Sequence, residues 1–309
     1  MKKNLKNYMK NKNKINTAFS LIEISVVIIV IGILISGISS GIDLYRDYKI
    51  TSARNYTINS KVSRIPDIGF WLDTTRLKSL ETASGSFDPK NGDKIKNWNS
   101  INYLDAQVQL IANQNNDSQQ PIYIENGRGG LPSLGFNDSK LISIPYDAMF
   151  TTRYCEVYVI IKSNGIIGWE PVIASGNSWS NGWFLNITGD NSSHKFQIRS
   201  WSGQGLHYAG PFESGPSSNL NDLQLIRVTI SGITINAFNL VNNLSHNFWN
   251  AYNFNNVSTG NFWIGYHYIY DNQFFNGEIS EIIYFTRNLN NAERLKVYEY
   301  FKEKYKLKF

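Results

Sequence analysis

The sequence predicts a mainly β protein, in which a sandwich of antiparallel sheets follows a long N-terminal transmembrane helix and ends in a short C-terminal helix. Three observations support this prediction. The chain has 8 Trp, 18 Tyr and 17 Phe, and only 17% of its 309 residues are charged. After residue 67, short alternating runs separated by Asn, Gly, Asp or Ser recur about every eight to twelve residues, as in β-sandwiches. Nineteen uncharged residues lie between Glu23 and Asp43.

The uncharged run is predicted to be a membrane-spanning helix. At 1.5 Å per residue, its nineteen residues extend about 29 Å, which is close to the roughly 30 Å of hydrocarbon in a bilayer. Residues 1–18 contain six lysines and no acidic residue. The positive-inside rule therefore places them in the cytoplasm and the bulk of the chain across the membrane. The membrane part is expected at about residues 24–42.

The net charge of +6 comes entirely from residues 1–18, because the rest of the chain has 24 basic and 24 acidic residues. A nucleic-acid binder needs a cationic face on its body. The basic cluster in "LKVYEYFKEKYKLKF" is interpreted as the solvated face of a terminal helix. No nucleic-acid partner is therefore expected.

Three interpretations of the N-terminus compete. A secretory signal peptide would be cut after the apolar run, and "SGISSG" at residues 36–41 offers small residues for that cut. A plain signal anchor explains the lysines and the apolar run. Neither interpretation explains Glu23, since a carboxylate that enters hydrocarbon costs about 3 kcal/mol by insertion scales.

The third interpretation rests on the stretch "AFSLIEISVVIIVIGILISGI", which resembles the N-terminus of type IV pilins and of the pseudopilins of type II secretion. The resemblance implies that a prepilin peptidase cuts between Ala18 and Phe19 and methylates the new amino group. Glu23, the fifth residue of the processed chain, then matches the signature glutamate of the family. In a filament, its carboxylate would pair with the amine of Phe19 in a neighbouring subunit, since a buried charge is tolerated when it is paired. Ala18 departs from the family, which usually has Gly before the cut.

The same resemblance implies a domain organisation and a location. Residues 1–18 would be a leader, residues 19–65 a pilin-like helix that ends before Pro66, and residues 67–309 a head. The protein would cross the bacterial cytoplasmic membrane once, with the head on the periplasmic or extracellular side, and would reach a pilus or pseudopilus. Its expected partners are the prepilin peptidase, other pilin or pseudopilin subunits and membrane lipid.

The head ends in a strand and a helix. "GEISEIIYF" predicts the strand, and Asn290 with Glu293 three residues later predicts a capping box at the start of the helix. An apolar stripe is predicted through Leu295, Tyr298, Phe301 and Tyr305.

Four motifs occur in order along the head: "FWLDTTRLKSL", "GDKIKNW", "GLPSLGFND" and "GEISEIIYF" with its capped helix. Together they resemble the bacterial laminin-G-like or concanavalin A-like lectin/glucanase jelly roll. The resemblance covers residues 67–309 and implies a jelly-roll sandwich.

Catalytic and metal-binding patterns are sparse. Retaining glycosidases need two carboxyl groups about 5 Å apart, and this family places them at alternate positions of one strand. Glu278 and Glu281 are three residues apart and are therefore expected on opposite faces of their strand. No catalytic residue and no cofactor is predicted, and the chain is expected not to be an enzyme. The single cysteine, Cys155, is interpreted as a buried thiol. Oxygen ligands that offer weak support for a Ca²⁺ site are Asp73, Asn137, Asp138 and Asp271.

Aromatic residues next to Asn and Asp are the stronger functional signal, because sugar binding uses ring stacking and hydrogen bonds to hydroxyl groups. The candidates for ligand binding are Trp179, Trp183, Trp201, Trp249, Tyr266 and Tyr268. The predicted function is a minor pilin or pseudopilin whose jelly-roll head binds a glycan or a protein. The alternative is a membrane-anchored carbohydrate-active enzyme or a stand-alone lectin-like surface protein.

Overall fold

A computed structural model gives the architecture of most of the chain. It describes residues 20–101, 110–127, 129–137, 140–145, 147–151, 154–164, 168–178, 181–190, 193–202, 205–213, 222–232, 234–241, 244–249, 260–267 and 273–309.

Helix α1 spans Leu21–Asn59 and begins at a capping box. The side chain of Ser20 accepts hydrogen bonds from the backbone N–H groups of Ile22 and Glu23, and the carboxylate of Glu23 accepts the N–H of Ser20 at 2.8 Å. This Ser-x-x-Glu arrangement satisfies amide donors that the first helical turn leaves unpaired. This capping box was not predicted from the sequence, and it gives Glu23 a role within its own helix.

The N-terminal half of α1 exposes its apolar side chains. From Leu21 to Leu44, the large apolar residues are 48–86% exposed. This helix is long and apolar enough to cross a membrane, as a membrane anchor or a signal sequence would be. The helix ends at Asn59 and is followed by a 3-10 turn at Lys61–Arg64 with Ser60 as its N-cap, so regular α-helix stops short of Pro66.

The chain divides into two compact units, with the boundary between Asp47 and Tyr48. The last turns of α1 therefore belong to the same unit as the β-strands.

In chain order the described strands are β1 (Ile68–Asp73), β2 (Leu80–Thr82), β3 (Ile95–Asn99), β4 (Ile111–Asn113), β5 (Ile122–Ile124), β6 (Ser133–Phe136), β7 (Ile142–Ile144), β8 (Tyr154–Ser163), β9 (Gly168–Ser178), β10 (Asn181–Asp190), β11 (Ser193–Ser202), β12 (Gly205–Glu213), β13 (Gln224–Ser231), β14 (Thr234–Asn239), β15 (Leu244–Trp249), β16 (Phe262–Ile264) and β17 (Gly277–Phe285). The central strands β8, β13 and β17 are buried along nearly their whole length, whereas β14 alternates between buried and partly exposed residues.

These strands form two antiparallel sheets, which confirms the predicted mainly β fold. Among the described residues, the eight-stranded sheet has the order β15-β14-β13-β8-β17-β6-β5, with β1 also paired to β17. The nine-stranded sheet has the order β12-β11-β10-β9-β16-β7-β4-β3-β2.

The inner faces of the two sheets enclose the main core. An aromatic cluster lies at its centre, where the ring of Phe70 is 5.1 Å from the rings of both Phe262 and Tyr284. Cys155 is 1% exposed in this core, as predicted. Burial raises the pKa of its thiol to about 12, so the thiol stays protonated at neutral pH.

A second apolar cluster covers the outer face of the eight-stranded sheet. Helix α2 (Asn291–Tyr305) packs there, and the predicted capping box is present. Asn290 accepts the N–H of Glu293 at 2.9 Å, and the Glu293 carboxylate accepts the N–H of Asn290 at 3.0 Å.

The buried stripe of α2 differs from the predicted one at one end. Leu295 is 59% exposed, whereas Val297 is fully buried. The stripe also contains Lys304, which is buried because it forms two ion pairs inside the cluster. A buried lysine breaks the apolar pattern from which the helix face was predicted.

Candidate functional site

The outer face of the nine-stranded sheet carries a row of side chains that runs across its strands. Inward-facing residues such as Trp98, Ile142 and Phe262 fill the core, so their neighbours in the strands face outward. The register places one outward residue from each of β2, β3, β4, β7 and β16 side by side: Glu81, Asn97, Asn113, Ser143 and Trp263.

A groove of about 440 Å³ lies over the Trp263 end of this row. Its volume falls in the range of small-ligand sites. The described residues that line the groove have amide, hydroxyl or aromatic groups, except for one leucine: Asn113, Gln114, Asn115, Gln119, Leu141, Ser143, Trp263, Tyr266 and Phe274.

Three rings form the aromatic side of the groove. The ring of Tyr266 stacks on Phe274 at 5.1 Å, and Trp263 meets Tyr266 edge to face at 5.5 Å. Gly265 makes this arrangement possible, because its φ is +80° and a Cβ there would lie 2.4 Å from the ring of Phe136. The chain can therefore turn sharply after β16 and bring Tyr266 beside Trp263.

The polar side of the groove is an ordered ladder of amides. The Asn97 side-chain N–H donates to the carboxylate of Glu81 at 2.8 Å, and the Asn113 side-chain N–H donates to the Asn97 carbonyl oxygen. A carboxylate only accepts hydrogen bonds, so Glu81 fixes which end of each amide faces the other. The carbonyl oxygen of Asn113 is then the acceptor at the groove end of the ladder.

The loop that follows β4 is held by its own amides. The Gln120 side chain donates to the backbone oxygen of Gln114 at 2.9 Å, and the Gln114 side chain accepts the N–H of Asn116 at 2.9 Å. These bonds fix the backbone that presents Asn115 and Gln119 to the groove.

The structure brings one of the predicted ligand residues, Tyr266, into this groove. Trp183 is 5% exposed and packs in the core 6.2 Å from Phe262, so its proposed place on a ligand surface is wrong. Trp201 and Trp249 lie in β11 and β15, where their side chains are not described.

Trp179 and Tyr268 lie outside the described residues. Sequence reasoning missed Trp263 and Phe274 altogether. The alternation in "NFWIG" was the available signal, since Phe262 and Ile264 face the core and Trp263 between them faces outward.

The oxygen ligands proposed for Ca²⁺ do not come together in the part of the chain that the structure describes. Asp73 is fully buried and forms an ion pair with Lys304 at 2.7 Å, and Asn137 is exposed. Asp138 and Asp271 lie outside the described residues. No group of three or more His, Cys, Asp or Glu among the described residues could hold a metal ion.

A buried cluster of charged groups lies on the opposite side of the sandwich, under α2. Lys304 is 2.7 Å from both Asp73 and Glu281, and all three side chains are fully buried. Glu281 also accepts hydrogen bonds from Trp71 at 2.6 Å and from Tyr300 at 2.6 Å. Burial raises the pKa of Glu281 to about 6, against the opposing effect of the Lys304 ammonium. These carboxylates join β1 and β17 to α2, and because they are fully buried a substrate could not reach them.

The prediction that Glu278 and Glu281 face opposite sides of their strand is wrong. The pairing of β17 with β8 contains a register shift between Ile279 and Glu281. Such a bulge inserts one extra residue into the strand. Two residues that are three apart and flank the bulge therefore point to the same face of the sheet. Glu278 lies opposite Lys162 on the outer face, where it forms an ion pair at 2.9 Å. Both glutamates therefore share a face but have different partners.

Of the predicted pilin-like residues, Glu23 is described, and it lies in the capping box of α1. Ala18 and Phe19 lie outside the described residues.

No protein-family model matches this chain, and no curated protein matches its sequence. Solved structures with a similar fold include the enzymatically active domain of tailspike protein 2 from bacteriophage CBA120, with 12% identity and a TM-score of 0.45 over 59% of this chain and 29% of that one. A sialidase from Trypanosoma rangeli has 13% identity and a TM-score of 0.46 over 77% of this chain and 33% of that one.

A third similar structure is domain 4 of an extracellular GH43 arabinanase from Geobacillus stearothermophilus in complex with arabinotriose. It has 11% identity and a TM-score of 0.45 over 58% of this chain and 81% of that domain. The chain thus matches a third or less of the length of the first two proteins. At these identities the likeness concerns the fold.

These comparisons contradict the prediction that the chain is not an enzyme. The prediction rested on the missing pair of carboxylates on one strand, and the sialidase and the tailspike domain that resemble this chain are described as enzymes.

Proposed function

We propose that the protein is a membrane-anchored carbohydrate-recognition protein and that the groove at Trp263 is its binding site. The observation that supports this most directly is that three aromatic rings and several Asn and Gln side chains line the same groove. A sugar ring has an apolar C–H face and a rim of hydroxyl groups. The face needs an aromatic surface, and the hydroxyls need groups that both donate and accept hydrogen bonds, as Asn and Gln side chains do.

Binding of full-length protein in detergent micelles to immobilised polysaccharides tests this function. Trp263→Ala is expected to lower affinity at least 10-fold, because truncating an aromatic side chain at the centre of a contact commonly costs 2 kcal/mol or more, or about 30-fold. Phe87→Ala is the matched control, since Phe87 is an exposed aromatic residue, 47% exposed, outside the groove. Equal loss in both variants, or binding to no polysaccharide at all, would contradict the proposal. Release of reducing ends in the same samples reports whether the bound chain is also cleaved.

We also propose that the N-terminal segment is processed and assembled as in type IV pilins. The prepilin peptidase would cut before Phe19, residues 1–18 would be lost on the cytoplasmic side, and the sandwich would face away from the cytoplasm. The exposed apolar surface of α1 supports this proposal, because a helix apolar all round needs lipid or other helices around it. The capping box is compatible with such a cut, since the helix starts at Leu21 and the Glu23 carboxylate accepts the N–H of Ser20, one residue from the new terminus.

Intact-mass analysis of protein extracted from membranes separates the three N-terminal interpretations. Loss of residues 1–18 together with one added methyl group is the expected result. A chain that starts beyond residue 36 would instead indicate ordinary secretion, and a chain that retains residues 1–18 would indicate a plain anchor. Glu23→Gln keeps the helix start but removes the charge, so it is expected to reduce incorporation into filaments while leaving cleavage unchanged.

A further inference from the structure

The described lining of the groove carries no charged side chain. Among the residues that the structure describes, its lining consists of five polar side chains without formal charge, three aromatic residues and one leucine. Two nearby lysines that the structure describes lie outside the lining. Lys94 pairs with Asp117, and the Lys140 ammonium donates to the backbone oxygen of Ser118. An anionic sugar in the groove would therefore lose hydration of its carboxylate or sulfate without meeting a cation or a guanidinium fork among the described lining residues.

The amide ladder adds a second selection. Because Glu81 accepts from Asn97 and Asn97 accepts from Asn113, the ladder leaves the carbonyl oxygen and the second N–H of Asn113 for a ligand. A sugar hydroxyl can donate to that oxygen and can also accept from the N–H, whereas a carboxylate or sulfate can only accept.

The direction of the row indicates the shape of the ligand. Four steps between neighbouring strands separate Glu81 from Trp263. At about 4.8 Å per step this is roughly 19 Å, which is the length of a short oligosaccharide segment. A chain laid along the row would reach the aromatic rings at one end and the amides at the other.

We propose that the groove binds an uncharged, hydroxyl-rich glycan chain in preference to sialylated, uronic or sulfated chains. Glu81 is a positioning residue in this arrangement, because it fixes the polarity of Asn97 and Asn113 toward sugar hydroxyls. This inference rests on the proposed carbohydrate-recognition function and specifies its substrate class.

The test uses full-length protein in detergent micelles and two sets of immobilised polysaccharides. Arabinan, xylan and laminarin are the neutral probes, and polygalacturonate, polysialic acid and heparin are the acidic ones. At least one neutral probe is expected to bind about 10-fold more tightly than every acidic probe, a difference of about 1.4 kcal/mol. Its affinity is expected to be the same at low and high salt, since screening acts on charge pairs.

Glu81→Gln tests the positioning role, because an isosteric amide can present either end to Asn97 and no longer fixes the ladder. Affinity for the best neutral probe is expected to fall about 5-fold, the usual worth of one hydrogen bond. The ratio of affinities for that polysaccharide and its O-methylated form is expected to fall as well, while the melting temperature stays unchanged. Phe87→Ala is expected to change neither quantity.

The outcomes separate the two proposals. Equal or tighter binding of an acidic probe overturns the neutral-glycan inference but leaves carbohydrate recognition standing. An unchanged methylation ratio in Glu81→Gln overturns the positioning role of Glu81. Binding to none of the six polysaccharides overturns the proposed function itself.

Discussion

Replacing Lys304 by Met is the sharpest test of what joins the two helices to the sandwich. Lys304 supplies the ammonium nearest to two fully buried carboxylates, Asp73 and Glu281, each 2.7 Å away. Removing one partner of a buried ion pair costs about 3–5 kcal/mol, because it leaves uncompensated charge in the interior. For a compact unit that spans Tyr48–Phe309, about 2–4 °C is lost per kcal/mol. The melting temperature is therefore expected to fall by roughly 10 °C.

The pH dependence identifies the cause of this loss. Burial raises the pKa of Glu281 from 4.5 to about 6. An acid whose pKa is raised on folding binds more protons in the folded state, so its contribution to stability falls as pH rises from about 4.5 to about 6. The cost above that window is about 2 kcal/mol in the wild type. Without the ammonium the pKa rises further, so the deficit of Lys304→Met is expected to be smaller at pH 5 than at pH 8.

The assay is thermal unfolding of the full chain in detergent, followed by tryptophan fluorescence at both pH values. Lys296→Met is the matched control, because Lys296 is an exposed lysine on the same helix, and it is expected to change stability by less than about 0.5 kcal/mol. Glu281→Gln combined with Lys304→Met is expected to recover part of the loss. A deficit below about 1 kcal/mol at pH 8, or one that does not shrink at pH 5, would refute the reasoning.

Three further predictions follow from other contacts. Arg294→Ala removes the guanidinium that donates to the fully buried Glu156 at 2.9 Å, and chemical denaturation is expected to show a loss of about 3 kcal/mol. Gly265→Ala combines a positive φ with a clash against Phe136, so polysaccharide binding is expected to disappear together with at least about 2 kcal/mol of stability; retained binding would contradict the assigned turn. Asn290→Ala removes the cap of α2 and is expected to cost about 1 kcal/mol, whereas Asn290→Asp is expected to restore it.

Local patterns in the sequence were sufficient to predict the fold class. The alternation in β8 and β13 predicts strands with a buried face, and the spacing of Asn290 and Glu293 predicts the start of α2. These features are determined by residues that are close together in the sequence, so they can be predicted from the sequence alone. The Ser20 and Glu23 capping box is equally local, but Glu23 was interpreted as a charge next to the membrane and not as a capping residue.

The candidate site depends on information that is not local. Trp183 and Trp263 both lie in strands of the same sheet and both neighbour Asn, Gly or aromatic residues. One fills the core and the other faces the groove, and only the pairing of β16 with β7 places Trp263 beside Ser143 and Asn113. The bulge before Glu281 is likewise a property of two paired strands, so its effect on facing could not be obtained from the spacing of the residues alone.

The last turns of α1 are built into the sandwich unit, with consequences for how the protein bears load. The Thr57 hydroxyl donates to Asp73 at 2.8 Å, and Arg54 donates to the backbone oxygen of Thr75 at 2.6 Å. A pull on α1 would therefore act on these two hydrogen bonds in the sandwich unit. A protease that cut the chain before Tyr48 would release the unit Tyr48–Phe309 with these contacts still within it. A cut at Ser60 would instead separate Arg54 and Thr57 from the chain that carries Asp73 and Thr75.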